Sequence, residues 1–172
     1  MAADRRNLLQ AMILVGGSLL TAATPAGSAD SGPIAIAVVD IGYVDTSGEV
    51  RDQRQEHAAR IARFSDTLRS DLEHSGKFRI VTLRCDPTPC AATDPTAELL
   101  ARAREAGAKL VLVGGIHKQS TLIQWAKVQA LDVDADRLVL DKLLTFRGDS
   151  DEAWERAEAF VAREVAALAP SP

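Results

Sequence analysis

Hydrophobic and polar positions along this 172-residue chain are arranged most regularly between Lys109 and Arg147. An apolar run at 110–116, an alternating stretch at 122–133 and a leucine-rich stretch at 138–146 are separated by short polar segments. Runs of this length, rich in apolar residues and bounded by turn residues, are typical of strands. The pattern therefore predicts three consecutive strands that form an antiparallel meander.

The middle strand of this meander has two different faces. Residues two apart lie on the same side of a strand, so the apolar Ala126, Val128 and Ala130 share one face, which we expect to pack against helices. The opposite face carries larger and more polar side chains, and we expect it to be partly exposed. We predict that this exposed face binds a protein partner through Trp125, Lys127 and Gln129.

The other two strands of the meander carry further signals. Gly114 and Gly115 lie within the first strand, which indicates either a β-bulge or a close approach of another backbone segment. Polar residues 118–120 predict the first turn, and 134–137 predict the second. In the third strand the alternation places four apolar side chains on one face: Leu138, Leu140, Leu144 and Phe146.

The chain before residue 77 predicts one strand and one helix. The continuous apolar run 34–41 suits a central strand that is covered on both faces. The polar stretch 42–55 predicts a loop. Apolar residues then recur at helical spacing over 56–74, which predicts a helix that ends at Gly76, where a left-handed residue is expected.

Two more helices and one more strand complete the predicted fold. Residues 78–83 read as a strand, and Asp94 before Pro95 predicts the N-cap of a second helix that stops at Gly107. The final helix, over 150–168, is predicted to begin with a reciprocal capping pair of Asp149 and Glu152. The predicted fold class is therefore α/β, with a mixed sheet of about five strands in the order β-α-β-α-β-β-β-α covered by three helices.

The first 29 residues have the pattern of a cleavable signal peptide. Arg5 and Arg6 precede an apolar stretch at 8–23, and small residues follow at 24–29. The pattern predicts export to the periplasm and a single α/β domain over 30–172. The paired arginines also resemble a twin-arginine export signal. An uncleaved anchor is the weaker alternative, because the apolar stretch is shorter than the roughly 20 residues that span a bilayer; no stable membrane insertion is expected after cleavage.

Charge and composition narrow the class of partner. Twenty Lys and Arg against 24 Asp and Glu give a net charge of −4, without a basic cluster, which disfavours nucleic acid. No nucleophile signature accompanies His57, His74 or His117, so we predict neither an enzyme nor a bound cofactor. Each histidine is interpreted as structural or solvated.

The two cysteines, Cys85 and Cys90, predict a disulfide that closes one loop of an exported chain. A redox pair and half of a zinc site are the alternatives. A redox pair usually has the tighter CxxC spacing, and a zinc site would need two more ligands that the isolated histidines do not obviously supply.

Acidic residues form three groups that could hold a hard cation such as calcium or a lanthanide. Asp132, Asp134 and Asp136 alternate as in the first half of a calcium loop, although a polar hairpin turn explains them as well. The other two groups lie at the end of the first strand and at the start of the last helix. They supply the candidate ligand residues: Asp40, Asp45, Thr46, Ser47, Asp149, Asp151 and Glu152.

Several stretches resemble the secreted bacterial proteins catalogued as domains of unknown function 3280 and 2380. They lie at 38–47, 60–64, 75–80, 107–114 and 146–154. The last, Phe-Arg-Gly-Asp-Ser-Asp-Glu-Ala-Trp, is the most specific, and Ala153 stands where the family usually has Ser. The element order also resembles the amino-terminal domain of TolB. The resemblance implies export and a compact α/β domain, and it associates some relatives with periplasmic quinoprotein alcohol oxidation systems.

Two functions remain open from the sequence. The first is a non-catalytic periplasmic binding or envelope-assembly accessory protein that acts through a protein partner. The alternative is a periplasmic carrier or sensor of a hard metal ion or small ligand, which could be an accessory to a quinoprotein alcohol oxidation system. The second predicts carboxylate oxygens that converge at one end of the sheet.

Overall fold

A computed structural model describes residues 32–86 and 90–169, so the predicted signal peptide lies outside the described residues and stays a prediction. The described residues form six strands and three helices. In chain order these are β1 (Ile34–Val38), β2 (Gly42–Asp45), α1 (Arg54–His74), β3 (Phe78–Ile80), α2 (Thr96–Glu105), β4 (Leu110–Lys118), β5 (Ile123–Asp132), β6 (Arg137–Arg147) and α3 (Asp151–Ala166).

The strands form one mixed sheet in the order β3-β1-β4-β5-β6, and β2 pairs with β4 beyond the end of β1. The pairs that involve β1 and β2 are parallel, whereas β4, β5 and β6 are antiparallel neighbours. The predicted α/β class, with a mixed sheet and three helices, is confirmed, and so is the meander.

The strand β2 was missed, because 42–55 was predicted to be a loop. β1 pairs only with the first residues of β4, Leu110–Leu112, and the chain then steps across and pairs Gly42–Asp45 with Gly115–Lys118. Four residues are too few to show a regular alternation of apolar and polar positions. Two of the four pair with a glycine or a charged residue of β4, Gly42 with Gly115 and Asp45 with Lys118. The predicted first strand accordingly ends at Val38 rather than at residue 41.

The core has two parts, one on each face of the sheet. α1 and α3 cover one face with the predicted stripes, including the buried Phe64 and Leu68 of α1 and Trp154 and Val161 of α3. α2 packs on the other face, where Leu99, Leu100 and Ala103 meet Ala37 and Val111. Because α2 is short, it leaves the Trp125 side of β5 half-buried or exposed, as the alternation predicted.

The meander corrects three local predictions. The β4–β5 register runs without interruption through Gly114 and Gly115, so there is no bulge there, and the alternative of close backbone approach is confirmed at Gly114. The irregularity lies instead between Ala130 and Leu131, and it turns Leu138 outwards while Leu140 stays buried. Lys118, predicted in a turn, is the last residue of β4 and is buried.

Both predicted N-caps are wrong. Asp94 accepts a hydrogen bond from the backbone N–H of Ala91, 2.8 Å away, and the residue before α2 is Pro95, which cannot cap with its side chain. At α3 the cap is Ser150, which accepts from the N–H of Ala153. Asp149 is therefore free to point elsewhere.

Three other local predictions hold. Gly76 and Gly107 have φ of +70° and +72° just after α1 and α2, as expected for glycines that end helices. Cys85 and Cys90 form the predicted disulfide. The acidic residues at 132–136 form a polar turn, in which the Asp132 carboxylate accepts from two backbone N–H groups.

Within the described residues, no helix is both long and apolar enough to cross a membrane.

Replacing Gly114 by alanine should destabilise the fold, whereas the same change at Gly115 should be tolerated. A Cβ at Gly114 would lie 2.8 Å from the Lys127 carbonyl oxygen and 2.9 Å from Val128 Cγ1, while one at Gly115 meets nothing closer than 3.6 Å. Overpacking of this kind costs about 1–3 kcal/mol. Urea denaturation of the two variants measures the difference, and equal midpoints would contradict the close approach.

A buried acid on α3 should make stability depend on pH. Glu158 lies in the core between α1 and α3, and its Oε1 has no hydrogen-bond partner among the described residues. Burial, with a smaller contribution from the Asp71 charge, raises its pKa from the ordinary 4.5 to about 7. Ionising this group therefore costs free energy only in the folded protein.

Because the folded pKa is raised, this group lowers stability progressively as the pH rises from 4.5 to about 7. Glu158→Gln should remove that loss and raise the free energy of unfolding at pH 8 by about 3 kcal/mol, with a much smaller gain at pH 5. Denaturant titrations at the two pH values test this, with the exposed Glu155→Gln as the matched control. An equal gain for both variants would contradict it.

Candidate functional site

A group of polar residues that hydrogen-bond to one another lies where β4 ends, β5 begins and the helices α1 and α3 start. We call this group the Asp149 cluster. It is built from five segments of the chain, and its members are Glu49, Gln53, His57, Arg60, Lys118, Gln124, Asp149 and Trp154.

Lys118 is the buried cation of the cluster, with 0% of its side chain exposed. Its ammonium donates to Asp149 Oδ2 at 2.8 Å, to Gln53 Oε1 at 2.7 Å and to the Glu49 carboxylate. All three donor positions of an ammonium are thus used. Burial alone would lower the pKa of Lys118, but the hydrogen bonds to Asp149 and Glu49 raise it, so Lys118 stays charged.

Asp149 is the anion that receives these contacts. Besides Lys118, its oxygens lie 2.8 Å from His57 Nε2 and 2.8 Å from Arg60 Nη1, and Trp154 Nε1 donates to it at 3.2 Å. Burial alone would raise the pKa of Asp149, but the hydrogen bonds from Lys118 and His57 outweigh it and lower the pKa to about 2. Asp149 is therefore ionised at neutral pH.

The local sequence explains how Asp149 reaches this position. Gly148 has φ of +92°, a left-handed conformation that favours glycine, and its carbonyl accepts from Gln124 Nε2 at 2.8 Å. Ser150 then caps α3, and Trp154 follows one turn later, above Asp149. Gly148, Ser150 and Trp154 thus fix the position of Asp149 together.

Three of the predicted ligand residues meet at this end of the sheet. Asp45 lies 3.9 Å from His57 Nδ1, Asp149 contacts the same imidazole, and Asp151 pairs with Arg60 at 2.8 Å. Asp151 also pairs with Arg63 at 3.1 Å. The convergence of the two acidic groups was therefore predicted, but each carboxylate faces a cation or imidazole.

The other predicted ligand residues have local partners. The Ser47 N–H donates to Asp45 Oδ1 at 2.9 Å, and Thr46 Oγ1 lies 2.7 Å from His117 Nε2. Glu152 pairs with Arg156 on its own helix. Asp40 pairs with Arg69, nine residues along α1 from Arg60, which places it roughly 13 Å from the cluster.

Across 32–86 and 90–169, no group of three or more His, Cys, Asp or Glu residues is arranged to hold a metal ion. The carboxylate oxygens near His57 already accept from lysine, arginine and tryptophan donors. The metal-ion alternative gains no support from this arrangement.

Sequence reasoning missed the cationic half of the cluster. Lys118 and Gln124 share the buried face of their strands with Ile116 and Ala126. The available signal was a polar residue two positions from a buried apolar residue of the same strand. Lys118 was instead assigned to a turn, and Gln124 to the end of a strand. His57, which was interpreted as structural or solvated, has a buried ring that is tilted against Tyr43 and stacked near Trp154.

The second surface lies on the same side of the sheet as α2, over the part of that side that α2 does not reach. We call it the open face, and it comprises Val44, His117, Trp125, Lys127, Leu143 and Thr145. The register aligns these residues in two adjacent rows across four strands. One row reads Val44, His117, Trp125, Thr145, and the other reads Gly42, Gly115, Lys127, Leu143.

Apolar side chains on the open face are exposed. Leu143 is 61% exposed and Val44 is 56% exposed, while the Trp125 and His117 rings meet edge to face with centroids 5.7 Å apart. Lys127 pairs with Asp141 beside them. Gln129, the third predicted partner residue, lies one row further along and is half-buried.

The fold and these two surfaces define a class of small α/β domain, in which a buried ionic cluster fixes one end of a mixed sheet and one sheet face stays open. The chain belongs to the family DUF3280, described as protein of unknown function (DUF2380), whose model matches residues 34–165. This confirms the family indicated by the sequence motifs. No curated protein matches the chain.

Solved structures of other proteins are similar to this fold. The PelC dodecamer from Paraburkholderia phytofirmans is 16% identical with a TM-score of 0.51, over 82% of this chain and 90% of PelC. TolB from Acinetobacter baumannii is 20% identical with a TM-score of 0.49, over 80% of this chain and 28% of TolB. The LpoB C-terminal domain from Salmonella enterica is 16% identical with a TM-score of 0.48, over 68% and 86%.

Asp149→Asn should be far more harmful than Asp151→Asn. The Asp149 side chain is 9% exposed and that of Asp151 is 55% exposed. Only the change at Asp149 therefore leaves buried cations without their anion. Removing one partner of a buried pair costs about 3–5 kcal/mol, whereas an exposed pair contributes about 0–1 kcal/mol. Urea denaturation followed by circular dichroism compares the variants.

The pH dependence of this difference follows from the lowered pKa of Asp149. Its contribution is fully present above the ordinary carboxyl pKa of 3.8 and is lost as the pH falls towards about 2. The gap between wild type and Asp149→Asn should therefore narrow below pH 4. Similar losses in the two variants at neutral pH would show that Asp149 has no central role.

Proposed function

We propose that this protein is a non-catalytic, exported accessory protein of the bacterial cell envelope that binds a protein partner through its open face. The observation that carries the proposal is an uncovered sheet face on which the exposed Leu143 lies diagonal to Trp125 and the exposed Val44 lies in the same row, beyond His117. Exposed apolar patches of this kind mark interaction surfaces. Aromatic residues, and Trp above all, are enriched among the residues that dominate binding energy.

The Asp149 cluster supports a non-catalytic role. Its acid, cation and imidazole are paired with one another, and Lys118 and His57 are buried. A catalytic acid or base needs to reach a substrate proton, whereas only 3% of the His57 side chain and 0% of the Lys118 side chain are exposed. We interpret the cluster as the structural clamp that holds the sheet end and two helices in place.

Two further observations support an envelope role. Residues 1–29 carry the signal peptide pattern, which supports export to the periplasm. PelC shares this fold and is found as a dodecamer, so a domain of this architecture is compatible with extensive protein contacts. The partner of the present chain is proposed to be a protein of the same compartment.

Site-specific photo-crosslinking in the native cells tests the proposal. A photoreactive residue at Lys127 or Thr145 should form a covalent adduct with one partner protein, because both positions lie on the open face. The matched control position is Arg102, a partly exposed residue of α2 on a different surface. Adducts that are absent, or equally frequent at Arg102, would contradict the proposed surface.

The partner identified in this way can then be purified and titrated. Trp125→Ala should weaken its binding by about tenfold or more, since hot-spot tryptophans contribute at least about 1.4–2 kcal/mol. A thermal melt shows whether the variant keeps the fold. Undiminished affinity in a folded Trp125→Ala protein would exclude the open face as the main contact.

A further inference from the structure

A groove runs along the outer edge of the molecule between α3 and β6. Its volume is about 560 Å³, and its floor is apolar: Leu144, Phe146, Ala153, Ala157, Ala159 and Phe160. Phe160 is half-buried, and the apolar floor continues into the core that α3 covers. The groove is therefore a ready site for an apolar side chain.

The rim of the groove is positively charged. Arg147, Arg156 and Arg163 line it, and none of the described residues that line it is acidic. Arg163 lies over the Phe160 ring with its guanidinium carbon 5.8 Å from the centroid, and Arg156 has its ion-pair partner Glu152 on the same helix. On a chain with a net charge of −4, this concentration of guanidinium groups favours an acidic ligand.

The groove borders a free sheet edge. β6 is the last strand of the sheet, and within the described residues it has a neighbouring strand on one side only. The irregularity opposite Ala130 and Leu131 lies near its start, so residues 140–147 form a regular edge. A regular edge presents unpaired backbone donors and acceptors, to which an extended peptide can add as a further strand.

We infer that this groove and the β6 edge bind an extended segment of a partner protein that carries one apolar residue between two acidic residues on its groove-facing side. Arg156 and Arg163 are separated by seven positions on α3, about 10 Å along the helix. Residues i and i+4 of a strand lie about 13 Å apart on one face. Two carboxylates at these positions can therefore reach the two guanidinium groups while residue i+2 enters the apolar floor.

The charge of the rim favours a partner over a second copy of this chain. Two copies that paired through β6 would bring two sets of the same three arginines to one interface, and like charges there are unfavourable. The inference rests on the proposed function, since it assigns the segment to the protein partner. It concerns a different surface from the open face, so the two can fail separately.

Fluorescence anisotropy with a labelled synthetic peptide tests the inference on the purified protein, without the partner. The peptide matches the length of 140–147 and alternates threonine with groove-facing glutamate, leucine and glutamate. We expect saturable binding, at least about tenfold tighter than for the peptide with lysine in place of glutamate. A third peptide, with proline at the centre of the strand, should lose binding because proline cannot donate to the edge.

Charge reversal provides the matched protein control. Arg156→Glu with Arg163→Glu should weaken the glutamate peptide by about tenfold or more and bind the lysine peptide instead. Arg102→Glu, a charge reversal at a partly exposed position of α2, should leave both affinities unchanged. Equal binding of the two peptides, an undiminished glutamate affinity in the double variant, or a dimer that excludes the peptide in sedimentation would each overturn the inference.

The two proposals are distinguished by Trp125→Ala. If that variant loses the partner but retains the peptide, both surfaces stand. If the peptide fails to bind while cross-links still form at Lys127, the open face is retained and the groove is excluded. If the peptide binds but no adduct forms at Lys127 or Thr145, the groove stands alone.

Discussion

The buried ion pair of Lys118 and Asp149 is the interaction on which the rest of this structure depends. Each charge is costly to bury, and neither could remain without the other. Lys118 belongs to β4, and Asp149 precedes α3, so the pair joins the centre of the sheet to the helix that covers it. His57 and Arg60 extend the same network into α1, and Gln53 and Glu49 extend it into the loop after β2.

This arrangement gives the sheet one face that is covered by helices and one face that is partly exposed. The helical face is filled by large apolar residues and closed at one end by the ionic cluster. The opposite face is covered by a ten-residue helix that reaches only part of the sheet. The surfaces available for binding therefore lie on β5, β6 and the outer stripe of α3, where the sheet has neither a further strand nor a helix within the described residues.

Much of the fold could be predicted from the sequence because its signals are periodic and long. The meander, the apolar stripes of α1 and α3 and the glycines that follow α1 and α2 were all found in this way. β2 was missed because its pairing is determined by β4, which lies about seventy residues later in the chain. A local pattern carries no information about such a partner. Asp149 likewise contacts residues that are distant in the chain, His57, Arg60 and Lys118, so the neighbouring Ser150 caps α3 instead.

The candidate site was predicted only in part. Asp45, Asp149 and Asp151 do converge, but the cations that meet them come from positions that look like a turn and a solvated helix face. Charge on a carboxylate can be read from the sequence, whereas its neutralisation depends on tertiary contacts. The two acidic groups therefore suggested a cation site, although Lys118 and Arg60 already provide the positive charge.

The parallel pairing of β1 with β4 has a consequence for how the chain reaches this structure. Ile36 pairs with Leu110, 74 positions further on (110 minus 36), whereas the turns of the meander join neighbouring strands. Contacts between distant residues form more slowly, because a long loop has to close first. The carboxyl-terminal half can thus fold early and present β4 as a template. The pairing of β1 with β4 therefore forms only after the loop between these two strands has closed.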